Sequence, residues 1–165
     1  MDINLRQVRS AEFDAVYGIL HENATWLLSR DILQWPLDWL ESISPVIKTS
    51  IDAGLFYAVE IDNEVAAVCE IKTAPEILWG NNQTEALYIH KLAIRRKYSD
   101  YGLGRNILDL IKSKAKQKNI NFLRLDCVAH NDKLREYYES CGFNLEGIVD
   151  AGEVNLALYE LYIQR

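Results

Sequence analysis

Residues 88–104 read YIHKLAIRRKYSDYGLG, and the hydrophobic period changes inside them. The apolar run from Ala86 to Ile94 predicts a buried strand. A basic, polar turn follows and closes on Gly102-Leu103-Gly104. From Arg105 to Lys118 the spacing is helical, with Leu103, Ile107, Leu108, Ile111 and Ala115 on one face. A strand, a glycine turn and a helix N-terminus together make an anion site. Backbone N–H groups point outward there, and the helix dipole favours negative charge. Glycine lets a ligand approach the backbone closely.

The flanking sequence predicts the rest of the fold. Ile3 to Val8 reads as a first strand, and Ser10 opens a helix running towards Leu20–His21. Asn23 to Trp35 reads as less regular. Pro36 opens a second helix, which Pro45 kinks or splits and Gly54 ends. Leu55 to Ile61 and Glu64 to Lys72 are strands joined by the tight turn Asp62-Asn63. Thr73 to Glu85, with Pro75, Gly80 and Asn81-Asn82, reads as a loop. Asn121 to Val128 is a strand. Asn131 to Cys141 is a helix stopped by Gly142. Phe143 to Val149 and Val154 to Ile163 are a closing strand pair. Strand, helix and strand from Ala86 to Val128 require parallel pairing, whereas the hairpins require antiparallel pairing. The expected class is therefore α/β (α+β): a mixed, mostly antiparallel central sheet with helices on both faces, in one domain over 1–165.

Composition narrows the function classes. The net charge of −6 argues against nucleic acid, whose phosphates demand a basic surface. No apolar run reaches the roughly 18 residues of a membrane span. The segment MDINLRQVRS lacks the apolar core of a signal peptide, so the expected location is cytoplasmic. Cys69, Cys127 and Cys141 are widely spaced and odd in number, which points to buried reduced thiols rather than disulfides or a metal site. Lys91, Arg95, Arg96, Lys97 and Arg105 surround the glycine turn and are read as an anion-attracting rim.

In its order of elements and in the segments LAIRRKYSDYGLG and NDKLREYYESCGF, the chain resembles the GNAT superfamily of acetyl-CoA-dependent N-acetyltransferases. A family signature of the form Gln/Arg-x-x-Gly-x-Gly/Ala falls on Ser99-Asp100-Tyr101-Gly102-Leu103-Gly104. Ser99 stands where Gln or Arg is usual, which bears on one side-chain contact and not on the backbone cradle. The family's Asn…Tyr…Gly-Phe pattern falls on Asn131, Tyr138, Gly142 and Phe143. The resemblance implies the acyl-CoA N-acyltransferase fold, with acetyl-CoA as co-substrate and no metal. Its pyrophosphate would lie on Ser99 to Gly104 and Arg105. Pantetheine would lie along Leu92, Ala93 and Ile94, where a strand edge can pair with its amides, and Asn131 and Tyr138 would complete the site. Asn131 can also cap the helix that follows.

Acetyl transfer needs a base for the ammonium, a donor for the developing oxyanion and an acid for the thiolate. The resemblance implies Tyr138 as the acid and a backbone N–H near Leu92 as the oxyanion donor. Tyr137 is read as a core aromatic. His90 is the first candidate base, because an imidazole titrates near neutrality and strand alternation puts it on the face of Tyr88 and Leu92. Glu70 and Glu85 are its rivals. Trp26, Gln34, Trp35, Trp39 and Trp79 either line an acceptor pocket or pack in the core. The acceptor is a small amine or a peptide, and transfer of a longer acyl group stays open. So do a homodimer and, as an alternative function, a non-catalytic acyl-CoA-binding or regulatory module on the same scaffold.

Overall fold

The computed structural model describes residues 2–81 and 84–163, so Met1 and Asn82 in the readings above lie outside the described residues. These residues fall into two compact units. The first comprises 2–71 and 91–110, the second 72–81, 84–90 and 111–163.

The first unit begins with a strand β1 (Arg6–Gln7), shorter than expected, in register with Ala58 and Tyr57, beyond which Val8 N–H still donates to Phe56 O at 2.9 Å. After a 3-10 turn over Ser10–Glu12, helix α1 spans Phe13–Leu28. It runs well past His21, through part of the stretch read as irregular. Tertiary contacts override the modest helix propensity of Asn23 and Thr25. Ala24 is buried in line with Val16, Ile19 and Leu20. The Asn23 side chain donates to Ile19 O and Ile94 O, both at 2.9 Å. Helices α2 (Leu37–Ser42) and α3 (Ser44–Asp52) follow Pro36 and meet beside Pro45, so the proline splits rather than kinks the segment.

Strands β2 (Phe56–Ile61) and β3 (Glu64–Lys72) form the predicted hairpin. Asp62 and Asn63 have φ of 53° and 63°, as a turn with two left-handed central residues requires. Leu40, Ile47, Ile51, Phe56, Ala58 and Val68 close the core against α1. Burying each large aliphatic side chain is worth about 1.5–3 kcal/mol.

Arg6 ties this unit's edge together. Its guanidinium donates to Glu12 at 2.7 and 2.9 Å and to Glu60 at 2.7 Å. The Arg6 hydrogen bonds hold the Glu12 carboxyl down at about 2, against an ordinary 4.5. A depressed carboxylate stabilises the fold above its ordinary value, and that contribution disappears as pH falls towards the folded value. Urea midpoints should therefore drop between pH 4.5 and about 2, and Glu12→Gln should make that acid limb shallower. An unaltered limb in Glu12→Gln would remove the ion pair from the account.

Strand β4 (Leu87–Ile94) starts in the second unit and ends in the first. Helix α4 (Leu103–Gln117) starts in the first unit and ends in the second, and its Leu103, Ile107, Leu108, Ile111 and Ala115 are all buried, as the periodicity predicts. The second unit contributes β5 (Phe122–Val128), α5 (Asp132–Ser140), β6 (Asn144–Asp150) and β7 (Asn155–Tyr162). Among the described residues the strand order is β1-β2-β3-β4-β5-β7-β6. The β4–β5 pair is parallel, and the pairs β1–β2, β2–β3, β5–β7 and β6–β7 are antiparallel. The mixed, mostly antiparallel sheet is thus the one expected. Among the described residues no helix is long and apolar enough to cross a membrane.

Candidate active site

The first unit carries the glycine turn. Arg96–Tyr101 forms a 3-10 turn with Ser99, Asp100 and Tyr101 exposed, and Gly102 follows in the left-handed region at φ 69°. A Cβ built on Gly102 meets nothing within 4 Å, so glycine is required by the backbone and not by crowding. Helix α4 starts at the next residue, and its first N–H groups have no intrahelical partner. Ahead of the turn, Leu92 and Ile94 are half-buried and Ala93 is buried. The Ile94 carbonyl already accepts from Asn23, a contact that sequence spacing does not reveal.

Three of the five cations around the turn are ion-paired, with two carboxylates between them, so the rim is less free than the sequence suggests. Lys97 is ion-paired with Glu64, and Arg95 lies 3.4 Å from the same carboxylate while donating to Val65 O at 2.8 Å. Arg96 stacks its guanidinium 3.8 Å from the Trp26 ring centre, and its backbone N–H donates to Glu22 at 2.9 Å. Lys91 donates to the buried Glu70 at 3.1 Å. Trp35 packs against the core of this unit, whereas Trp39 is exposed.

Lys91 also has φ 50°, a conformation uncommon for non-glycine residues. The strand turns there. Tyr88 and His90 share a face by alternation, but the run that would carry Leu92 onto the same face is interrupted.

The second unit carries the chemistry-bearing side chains. His90 Nε2 lies 2.6 Å from Glu76 Oε1, with both side chains about four-fifths buried. A carboxylate accepting the Nε2–H fixes the imidazole's tautomer and leaves Nδ1 as the acceptor. Glu76 was invisible as a partner because it sits in the loop before β4, fourteen residues from His90. Glu85 is exposed and precedes β4.

Tyr138 is 7% exposed, whereas Tyr137 is half-exposed. Tyr138, rather than Tyr137 as expected, is the more deeply buried ring of the pair. Tyr138 lies with Leu134 and Cys141 on one face of α5 and packs its ring near Phe143, Tyr159 and Tyr137 at 5.9, 6.3 and 5.7 Å. Burial pushes its phenol well above the ordinary range. Asn131 caps α5, its side-chain oxygen accepting from Leu134 N at 3.3 Å. Cys127 is buried and its thiol is pushed up to about 12 by desolvation, so it stays protonated at neutral pH.

A sequence profile of the acetyltransferase (GNAT) family matches residues 17–143, which include the glycine turn, His90, Asn131 and Tyr138. The chain belongs to the GNAT acetyltransferase family. It is 31% identical over 144 residues, 84% of its length and 80% of the relative's, to YesJ, an uncharacterized N-acetyltransferase of Bacillus subtilis strain 168. A GNAT family acetyltransferase of Streptococcus agalactiae 2603 has the same fold, with a TM-score of 0.85 and 16% identity over 99% of this chain and 96% of that one. So does the PaiA N-acetyltransferase of Thermoplasma acidophilum, solved in complex with coenzyme A. Its TM-score is 0.76, with 17% identity over 98% of this chain and 99% of that one. Membership in the GNAT family makes the protein an N-acetyltransferase by class, with an acyl-CoA as co-substrate.

Proposed function

We propose that the protein moves the acetyl group of acetyl-CoA to a primary amine by direct attack in a ternary complex, with residues 1–165 working as one domain. The observation that carries this reading is the contact of His90, on the strand that leads to the glycine turn, with Glu76, 2.6 Å away. With Nε2–H held by Glu76, Nδ1 takes the ammonium proton, and the carboxylate stabilises the imidazolium that results. Glu70 is a poorer base, since it is sealed in the interior against the Lys91 ammonium. Among the described residues no contact orients Glu85 comparably.

Bound acetyl-CoA supplies an activated acyl carbon and a thiol leaving group. The open, left-handed Gly102 and the N-terminal turn of α4 fit its pyrophosphate. A backbone N–H near Leu92 donates to the acyl oxygen as charge builds on it, and Tyr138 donates to the departing sulfur. Direct attack is favoured over an acyl-cysteine because Cys69, Cys127 and Cys141 are all buried and a thiolate is the reactive form.

Thiol release from acetyl-CoA across a panel of primary amines tests the reading. A ternary complex gives intersecting initial-velocity lines, and parallel lines would overturn it in favour of a covalent intermediate. His90→Gln should flatten the acidic limb of the pH–rate profile. Loss of that limb in Glu70→Gln or Glu85→Gln, but not in His90→Gln, would move the base to that carboxylate.

A further inference from the structure

Among the described residues two charged side chains are buried almost completely, one in each unit. Arg124, in the second unit, stands on β5 in register with Tyr88 and Glu160. Its Nε donates to Glu160 at 2.7 Å and its Nη1 to the Tyr88 hydroxyl at 2.9 Å, a row within the sheet. Glu70, in the first unit, differs because its partner sits at a break in a strand.

The Glu70 side chain on β3 is 1% exposed, and Lys91 Nζ reaches it at 3.1 Å from a side chain that is 17% exposed. A carboxylate taken so far from water needs its cation close by. Lys91 is also the residue at φ 50° where β4 turns. A non-glycine residue in the left-handed region is held there by its surroundings. The ion pair is such a hold. Returning Lys91 to the extended region would swing its Cβ away and withdraw the ammonium from the Glu70 carboxylate. The peptide that follows takes its direction from the backbone angles of Lys91, and its N–H belongs to Leu92. Further along, the Ile94 carbonyl accepts from the buried Asn23 at 2.9 Å, and the Arg95 backbone N–H donates to Ala66 O at 2.8 Å. The stretch from Lys91 to Arg95 is thus gripped at both ends by groups of the first unit.

We propose that Glu70 is a positioning residue for acetyl transfer: by holding the Lys91 ammonium it keeps β4 turned at Lys91 and aims the Leu92 N–H at the acyl oxygen. The inference rests on the acetyl-transfer reading and gives a part in it to a carboxylate that touches neither substrate nor coenzyme. Burial suits this part, because water does not screen the pair. The role is also distinct from that of a base. Losing a base changes the pH dependence, whereas losing a positioning residue lowers the rate at every pH.

The test uses the full chain with acetyl-CoA and the fastest primary amine of the panel. Glu70→Gln should lower kcat by about a hundred-fold, the effect of misplacing an oxyanion donor. The KM for acetyl-CoA should change little and the acidic limb should persist. Glycine adopts φ 50° without help, so Glu70→Gln/Lys91→Gly should recover most of the lost kcat. Glu70→Gln/Lys91→Val should not, because a β-branched residue resists this region. Neither double variant leaves a lone charge of the pair buried, so their comparison holds even where Glu70→Gln does not fold. Equal kcat in the two double variants, or wild-type kcat in Glu70→Gln, would overturn the proposal. Loss of the acidic limb in Glu70→Gln would overturn it too, by making Glu70 the base. A second readout needs no acceptor. In leucine-labelled protein the Leu92 amide NMR signal should move further with acetyl-CoA than with coenzyme A, since only the former carries the acyl oxygen. The Lys91→Val double variant should lose that difference, and its persistence there would overturn the clamp. Binding of acetyl-CoA without turnover of any amine would defeat the acetyl-transfer reading, and the Leu92 signal would then decide on the clamp alone.

Discussion

Tyr138→Phe should cut acetyl transfer by about ten-fold to ten-thousand-fold, the span that general acid–base catalysis supplies, while the protein stays folded. The ring does the packing, against Phe143, Tyr159 and Tyr137, and phenylalanine preserves it. The hydroxyl is what changes. Burial holds that phenol protonated throughout the working pH range, so it can only donate at the start of the reaction. Its part is a hydrogen bond to the departing sulfur, which needs a proton in place and not a matched pKa. Thiol release on the best acceptor, with coenzyme affinity by calorimetry and melting temperature alongside, separates the roles. Wild-type turnover in the variant would take Tyr138 out of the mechanism. A collapse in melting temperature would make it a packing residue.

Gly102→Asp should abolish measurable coenzyme binding and leave a native circular dichroism spectrum. At φ 69° any side chain is strained, by roughly 1–2 kcal/mol, although Asp tolerates this region better than most residues. The larger effect is electrostatic. The new carboxylate would occupy the open space beside the α4 N-terminus and repel a pyrophosphate there. Gly102→Ala separates the two effects, because it carries the strain without the charge and should weaken binding far less. Unchanged affinity in a folded Gly102→Asp would show that the pyrophosphate lies elsewhere.

Local chemistry made much of this protein legible from sequence. Asp62-Asn63 specifies a hairpin because both residues tolerate positive φ, and the structure has both there. The α4 face and the Gly102 turn are likewise written in adjacent residues. What escaped depends on distant neighbours. Helix α1 continues through Asn23 because that side chain finds carbonyls on both α1 and β4. The five cations around the turn read as a field, but Glu64 and Glu70 on β3 take up three of them. Glu76 gives no local sign that it will meet His90. Arg124 did leave a signal, an arginine between Leu123 and Leu125 in an apolar strand, but its partners lie 36 residues away in both directions. Tyr137 and Tyr138 are adjacent, and only the direction in which α5 packs decides which one is buried.

The Tyr88–Arg124–Glu160 row has a bearing on how the sheet finds its alignment. Arg124 faces Glu160 across β5 and β7 only when those strands are paired in the native frame. Sliding β7 by one position would send Glu160 to the opposite side and strand a bare guanidinium in the interior. Breaking such a pair by losing one partner costs far more than the intact pair contributes over apolar substitutes. The row therefore acts less as glue than as a proofreader: it adds little to the correct sheet and heavily penalises the shifted one.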